Sequence, residues 1–380
     1  MKYIVVFGFI FPYASLCQTA DSSLLSKSDL TAFTVALDSL RQEKNIPGLA
    51  VAVVKNKKLA WSKGFGSSHF DPEDGEAYQL VTGDTPFWIA SVTKTFIGLL
   101  FLKLEEQKKI SLDDKINEMP GWDSFCNWLA QSGSVFGRNL NCDQPISIRH
   151  ILNHTVNGVA GTQFLYNPIM YSRLSRYIEH IYGNDVAEAE KGQNTMAKLV
   201  EENILRLAGM DRTMSSQWQT EKAPVFFDMA EGYQYGDEGF VRLIRPERHL
   251  AGGAGIVSTV NDLAKYDIAL DEGKLASTQV MEKLFTPAVS PEGTRLPYAF
   301  GWYVQEYEGE KLIWHAGWDE EAGFSALYLK IPERELTLIL LANSEGMWWE
   351  NPLDKATVEK SPFAQVFMER FVFAEQEDQH

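Results

Sequence analysis

Basic residues are in short supply. The 35 lysines and arginines face 51 aspartates and glutamates, a formal charge of −16 over 380 residues. So acidic a chain argues against nucleic acid and anionic membranes as partners. Histidine is scarce as well, at seven. His150 and His154 stand four apart, a metal-ligand spacing on a helix, but no third ligand and no His-Glu-x-x-His pattern accompanies them. Neither a metal nor any other cofactor is therefore expected. Gly-x-Ser-x-Gly is missing, which counts against an α/β-hydrolase. The glycines from Gly252 to Gly255 lack both a Gly-x-Gly-x-x-Gly pattern and a following Lys-Ser/Thr. They read as a tight turn before a helix, not as a phosphate loop. There is no internal repeat or low-complexity segment. The early apolar run, Tyr3 to Pro12, is too short to span a bilayer.

That run reads as an address. Met1-Lys2 supplies a positive start, and Ala14-Ser15-Leu16-Cys17 supplies small residues for cleavage. Residues 1–17 are thus expected to be a signal peptide, and the protein to be exported to a periplasm or the exterior without stable membrane insertion. A lipid on Cys17 is the weaker alternative, because Leu16 stands where a small residue is wanted. Only two further cysteines occur, Cys126 and Cys142, sixteen positions apart around a polar stretch. In an oxidising compartment they suggest a disulfide closing a surface loop; two free buried thiols are the alternative.

What is present is ample apolar material. Hydrophobic residues make up 45% of the chain and aromatic residues 12%. That suffices for one large domain or two intermixed ones. Gly48 to Val54 and Lys58 to Ser62 read as a strand pair around a polar turn at Lys55-Asn56-Lys57. From about 91 to 256 the pattern is mostly helical. Strand-like runs return at Ala299–Gln305, Lys311–His315, Phe324–Leu329 and Leu336–Leu341, and Asn351–Phe373 reads as a closing helix. Sheet at both ends with helices between predicts an α+β architecture over about residues 28–375, the helical lobe inserted in the sheet domain. A cleft between sheet and lobe is where a site is expected.

One pair of residues carries chemistry. In Ile89-Ala-Ser-Val-Thr-Lys-Thr95, Ser91 falls near the start of an apolar helix, with Asp84-Thr85-Pro86 as start signals. Free backbone N–H groups there favour an oxyanion. Lys94, three residues on, shares its face. A serine hydroxyl needs a base, and a lysine in a dry cleft has the lowered pKa to act as one or to hold another in place. A Ser-x-x-Lys alone is close to chance, and an ordinary helix start with a surface lysine is the alternative.

Its context resembles the serine beta-lactamase and penicillin-binding protein superfamily, in the class C-like branch that also holds D-aminopeptidases and esterases. The resemblance runs from about Ile46 to Asn343. It is carried by Ile46-Pro-Gly-Leu-Ala-Val-Ala-Val-Val54, Asp84-Thr-Pro-Phe-Trp-Ile-Ala-Ser-Val-Thr-Lys94, Ile148-Arg-His-Ile-Leu-Asn-His-Thr155 and Leu207-Ala-Gly-Met-Asp-Arg-Thr213. Later blocks are Gly252 to Ala264, Tyr298-Ala-Phe-Gly-Trp302, His315-Ala-Gly317 and Gly323-Phe-Ser325. The resemblance implies a beta-lactamase/transpeptidase-like fold, an antiparallel sheet built from both chain ends with flanking helices.

It also implies three site motifs. Ser91-Val-Thr-Lys94 matches fully. The usual Tyr-x-Asn appears as Tyr166-Asn167-Pro168, which makes Tyr166 the candidate phenol beside the nucleophile, a phenolate kept charged by lysine. Pro168 stands where the family's asparagine contacts lysine and substrate. Asn167 is kept as a substrate-binding candidate, although a regular turn would aim it elsewhere. The usual Lys-Thr-Gly appears as His315-Ala316-Gly317, with the N–H of Trp318 as second oxyanion donor beside that of Ser91. A histidine is only partly charged at neutral pH, so a fixed cation for a substrate carboxylate is absent. The expected activity is acyl transfer through Ser91 on an ester or amide, such as a D-amino-acid peptide or cell-wall fragment. A relative that binds such a ligand without turnover, which Pro168 favours, a class C-like beta-lactamase and an exported structural scaffold remain alternatives. For the tryptophans, Trp348 and Trp349 among them, cleft lining competes with core packing.

Overall fold

The computed structural model describes residues 20–373, apart from positions 74, 76, 184–194, 216–218 and 247–248. The expected leader, with Cys17, lies outside the described residues.

The N-terminal strand explains the layering. Every residue from Gly48 to Val54 in β1 (Gly48–Lys55) is buried. A strand apolar without alternation must be covered on both faces. Here Ala50, Ala52 and Val54 enter one core, while Leu49, Val51 and Val53 enter the other. β1 turns through Asn56 and Lys57, both left-handed, into β2 (Lys58–Phe70), as the polar turn predicts. β3 (Ala77–Leu80) extends that edge, and the two-residue β4 (Phe87–Trp88) follows. β5 (Tyr233–Gly236) and β6 (Gly239–Arg242) form a hairpin inside the segment read as helical. The short β7 (Val257–Ser258) pairs with β4. Five strands then complete the sheet: β8 (Tyr298–Ala299), β9 (Trp302–Tyr307), β10 (Glu310–Asp319), β11 (Phe324–Ile331) and β12 (Leu336–Ala342).

Their order is β3-β2-β1-β12-β11-β10-β9-β8, antiparallel throughout. The chain ends meet where β1 pairs with β12, from Leu49 opposite Ala342 to Lys55 opposite Leu336. One face is covered by α1 (Lys27–Glu43), through Phe33 and Leu37. The other face meets the helical lobe, whose centre is α2 (Thr93–Glu106). All twelve residues of α2 from Thr93 to Leu104 are buried. A helix apolar on all sides has to be a core helix. The lobe adds α3 (Trp122–Gln131), α4 (Ile148–Leu152) and α5 (Pro168–Ile181), and α6 (Val260–Asp271) packs against the sheet. Cys126 of α3 is disulfide-bonded to Cys142, with Cα atoms 5.7 Å apart.

The closing helix is shorter than the sequence suggests. α7 spans only Pro362–Met368 and passes into a wider π turn over Glu369–Phe373. Ser361 caps it, with Pro362 in the first turn. Asn351 instead organises a loop, accepting hydrogen bonds from both Thr357 N and Thr357 Oγ1. Among the described residues no helix is long and apolar enough to cross a membrane.

Candidate active site

The turn before α2 is built under strain. Ala90 has φ +43°, a left-handed value costly for a residue with a Cβ, at about 1–3 kcal/mol. Two contacts hold it. Ile89 N–H donates to Ile256 O at 3.1 Å, extending the β4–β7 pair. From the other side Gly317 of β10 presses in, so closely that a Cβ there would stand 2.5 Å from Ile89 O and 3.1 Å from Ala90 Cβ. Only glycine permits that approach. Ser91 thereby sits in a short 3-10 turn leading into α2, with β10 alongside.

Lys94, one turn on, is fully buried. Its Nζ lies 2.9 Å from Ser91 Oγ and donates to Gly253 O at 2.8 Å. It also lies 5.0 Å from the centre of the Tyr166 ring and 5.4 Å from that of Tyr171. Burial pushes its pKa well below 10.5, because a desolvated ammonium is penalised. Gly253 is the residue sequence reasoning missed. The acceptor is a backbone carbonyl, so no side chain announces it, and the glycine run was its only signal. Its Cα is crowded too: a Cβ would meet Ser172 Oγ at 3.0 Å and Pro168 O at 3.1 Å.

Tyr166 is brought to this group by its loop. Its own N–H donates to Leu353 O at 2.7 Å, and the next residue's N–H donates to His154 Nδ1 at 3.0 Å. The phenol lines the cleft with Ser91, and burial raises its pKa above the usual 10. Burial thus favours the neutral phenol over the phenolate that the resemblance implies. Asn167 does not reach the cleft. It is fully buried and caps α5 by accepting from Met170 N, while its Nδ2 donates to Phe136 O and Asn157 Oδ1. A proline in the first turn of α5 makes its predecessor the helix cap.

His315 lies deeper than the sequence suggests. Ala316 O can only accept, so the proton sits on Nδ1, 2.7 Å away, and Nε2 accepts from Tyr298 OH at 2.9 Å. Burial is the first cause that holds its pKa well below 6.5. It is neutral, and both nitrogens are spent within the protein. His150 and His154 each accept a backbone N–H at Nδ1, from Ser147 in a capping box and from Asn167, while His154 Nε2 is buried without a hydrogen-bond partner among the described residues.

Trp318 follows Gly317 on β10, beyond Trp314, the last residue paired with β9. The strand edge there faces the Ser91 turn. Together these elements enclose a cleft of about 400 Å³, lined by Ser91, Tyr166, Gly253, Ala316 and Trp318 among others. Ser91, Lys94, Tyr166, Gly317 and Trp318 are thus brought together, with His315 beneath them. Among the described residues no cluster of His, Cys, Asp or Glu could hold a metal ion.

A family model described as Beta-lactamase matches residues 33–359. The unguisins hydrolase ungD' of Aspergillus campestris is 24% identical over 336 residues, 79% of this chain and 59% of that protein. Penicillin-binding protein 4* of Bacillus subtilis is 25% identical over 299 residues, 68% and 61% of the two chains. A D-aminopeptidase of Brucella anthropi is 24% identical over 340 residues, 85% and 61%. The chain thus covers 59–61% of the length of these three relatives. Among solved structures, the octameric penicillin-binding protein homologue from Pyrococcus abyssi superposes with a TM-score of 0.66 at 21% identity, covering 92% of this chain and 81% of that one. D-amino acid amidase from Ochrobactrum anthropi SV3 gives 0.62 at 18% identity, covering 93% and 100%. At such identities these likenesses speak for the fold.

Proposed function

The chain belongs to the beta-lactamase family, and on that premise we propose that it is a serine hydrolase forming an acyl-enzyme on Ser91. The observation that carries the reading is the buried Lys94 amine, 2.9 Å from Ser91 Oγ. Burial favours its neutral form, so its lone pair takes the serine proton as Oγ attacks a carbonyl carbon. The backbone N–H groups of Ser91 and Trp318 are the donors assigned to the oxyanion on this reading. The proton then passes from Lys94, directly or through the Tyr166 phenol, to the departing oxygen or nitrogen. Water attacks the acyl-enzyme with the same group as base, releasing the acid and restoring Ser91.

Pro168 does not count against turnover on this reading, because Gly253 O supplies the lysine acceptor that the family's asparagine would provide. The substrate is an ester or amide; relatives named D-aminopeptidase and penicillin-binding protein keep D-peptides and wall fragments within the class. The Cys126–Cys142 disulfide supports export to an oxidising compartment.

The test is intact-mass analysis after exposure to a fluorophosphonate and, separately, to a penicillin. An adduct that maps to Ser91, together with a loss of at least ~10³-fold in ester turnover in Ser91→Ala, is the expected result. Labelling that persists in Ser91→Ala would move the nucleophile elsewhere.

A further inference from the structure

The cleft mouth is walled with tryptophan beyond what packing requires. Trp318 remains 41% exposed. It stacks on Trp348, ring centres 5.5 Å apart and planes 9° from parallel. Trp348 touches Trp349 at 5.4 Å, Trp349 touches Trp314 at 5.6 Å, and Trp314 stacks on Tyr303 at 4.1 Å. Phe136 faces the same cleft. A core packs such rings away from water; here the row ends at the opening beside Ser91, with an indole left in solvent. Exposed aromatic surface in a concave site marks a ligand's place.

Three of the wall's four indole N–H groups are already spoken for. Trp318 Nε1 donates to Glu345 Oε2 at 3.1 Å, Trp349 Nε1 to Thr357 O at 3.0 Å, and Trp314 Nε1 to Gln305 Oε1 at 3.2 Å. What remains on offer, beside the Trp348 N–H, is mostly ring face, which suits another flat apolar group. The described residues that line the cleft include Asp319 and Glu321 but no arginine or lysine, so none of them offers an anionic group a cationic side chain.

We infer that the Trp318–Trp348 stack is a substrate subsite for an uncharged aryl group carried close to the scissile ester or amide. The inference rests on Ser91 as nucleophile for where the scissile bond lies, but the binding it describes is separable from turnover.

Two measurements test it. In the first, ethyl acetate, benzyl acetate, ethyl phenylacetate and methyl 6-O-acetylglucoside are compared by kcat/KM, each scaled to its rate in alkali. One or both aryl esters should exceed ethyl acetate by at least ~10-fold, the scale of apolar pocket discrimination. Which one does so tells whether the aryl group sits on the acyl or the leaving side. Trp348→Ala should erase that preference and Trp348→Phe should keep most of it. Equal scaled rates, or a preference for the sugar ester, would overturn the subsite.

In the second, Ser91→Ala protein is titrated with benzyl acetate and read by indole fluorescence. Saturable quenching that disappears when Trp348→Ala is added supports the subsite. Its absence overturns the subsite even in an active esterase, whereas saturation in a protein that hydrolyses no ester would sink the Ser91 reading alone.

Discussion

Lys94 concentrates the tension between function and stability in one side chain. Its folded pKa lies below the unfolded value of 10.5 because burial penalises the ammonium. Between those two values the unfolded chain binds more protons than the folded one, so stability rises with pH across that window. At neutral pH the native protein therefore carries a cost that an apolar side chain of similar length would not. Lys94→Met should raise the melting temperature at pH 7 by roughly 2–4 °C while ester turnover falls at least ~10³-fold. The stabilisation should shrink as the pH approaches 10.5. Calorimetry at several pH values checks this, and a lower melting temperature at pH 7 would show that Lys94 holds the site together instead of straining it. The mirror case is Tyr166, whose raised pKa keeps the phenol neutral, so its deprotonation should not shape the pH–rate profile below pH 10. At this scale the sequence was informative about the pairing of Ser91 with Lys94, which stand in one helical turn. It was uninformative about Gly253, because a backbone acceptor has no residue-type signature, and it misplaced Asn167, whose role depends on where α5 begins.

At the scale of elements, the site exists because β10 touches the strained turn before α2 at one glycine. Adding a methyl at Gly317 would drive it into Ile89 O and Ala90 Cβ, neither of which can swing aside. Gly317→Ala should therefore move the strand off the Ser91 turn and cost on the order of 10² in kcat/KM, as a displacement of about 1 Å between reacting groups does. Gly236→Ala, where a Cβ meets nothing within 4 Å, is the control and should leave the rate unchanged. Equal effects of the two would mean that the strand has room to spare. The strands themselves were legible because runs buried on both faces are almost wholly apolar, as in β1 and β12, where only Thr337 interrupts the latter. The break between β8 and β9 was not. Phe300 and Gly301 adopt φ of +43° and +96° so that the Phe300 carbonyl fits against Gly98 of α2, a partner two hundred residues away. α1 escaped notice for the opposite reason. Only Phe33 and Leu37 of its seventeen residues are fully buried, so its apolar stripe is faint.

Across the whole molecule, charge bears on substrate choice. The chain carries −16 formal charges, Asp319 and Glu321 line the cleft, and Glu345 holds the Trp318 indole. His315 stands where the resemblance places a lysine, yet it is neutral and hydrogen-bonded within the protein. Lys94 is buried and favours its neutral form. Among the described residues that line the cleft, a substrate carboxylate thus meets two acids and no arginine or lysine. We expect p-nitrophenyl acetate to exceed nitrocefin in kcat/KM. The two should also differ in their response to salt. Repulsion between exposed charges fades once the Debye length, about 10 Å at 0.1 M, falls below their separation. Nitrocefin turnover should therefore rise as salt is added from roughly 0.02 to 0.5 M, while the neutral ester changes by less than about twofold. The measurement is kcat/KM for both substrates across that range. Faster hydrolysis of nitrocefin that falls with added salt would reveal an attractive cationic site in the cleft, restore a beta-lactamase reading, and refute the assignment of His315 as a neutral, internally bonded group.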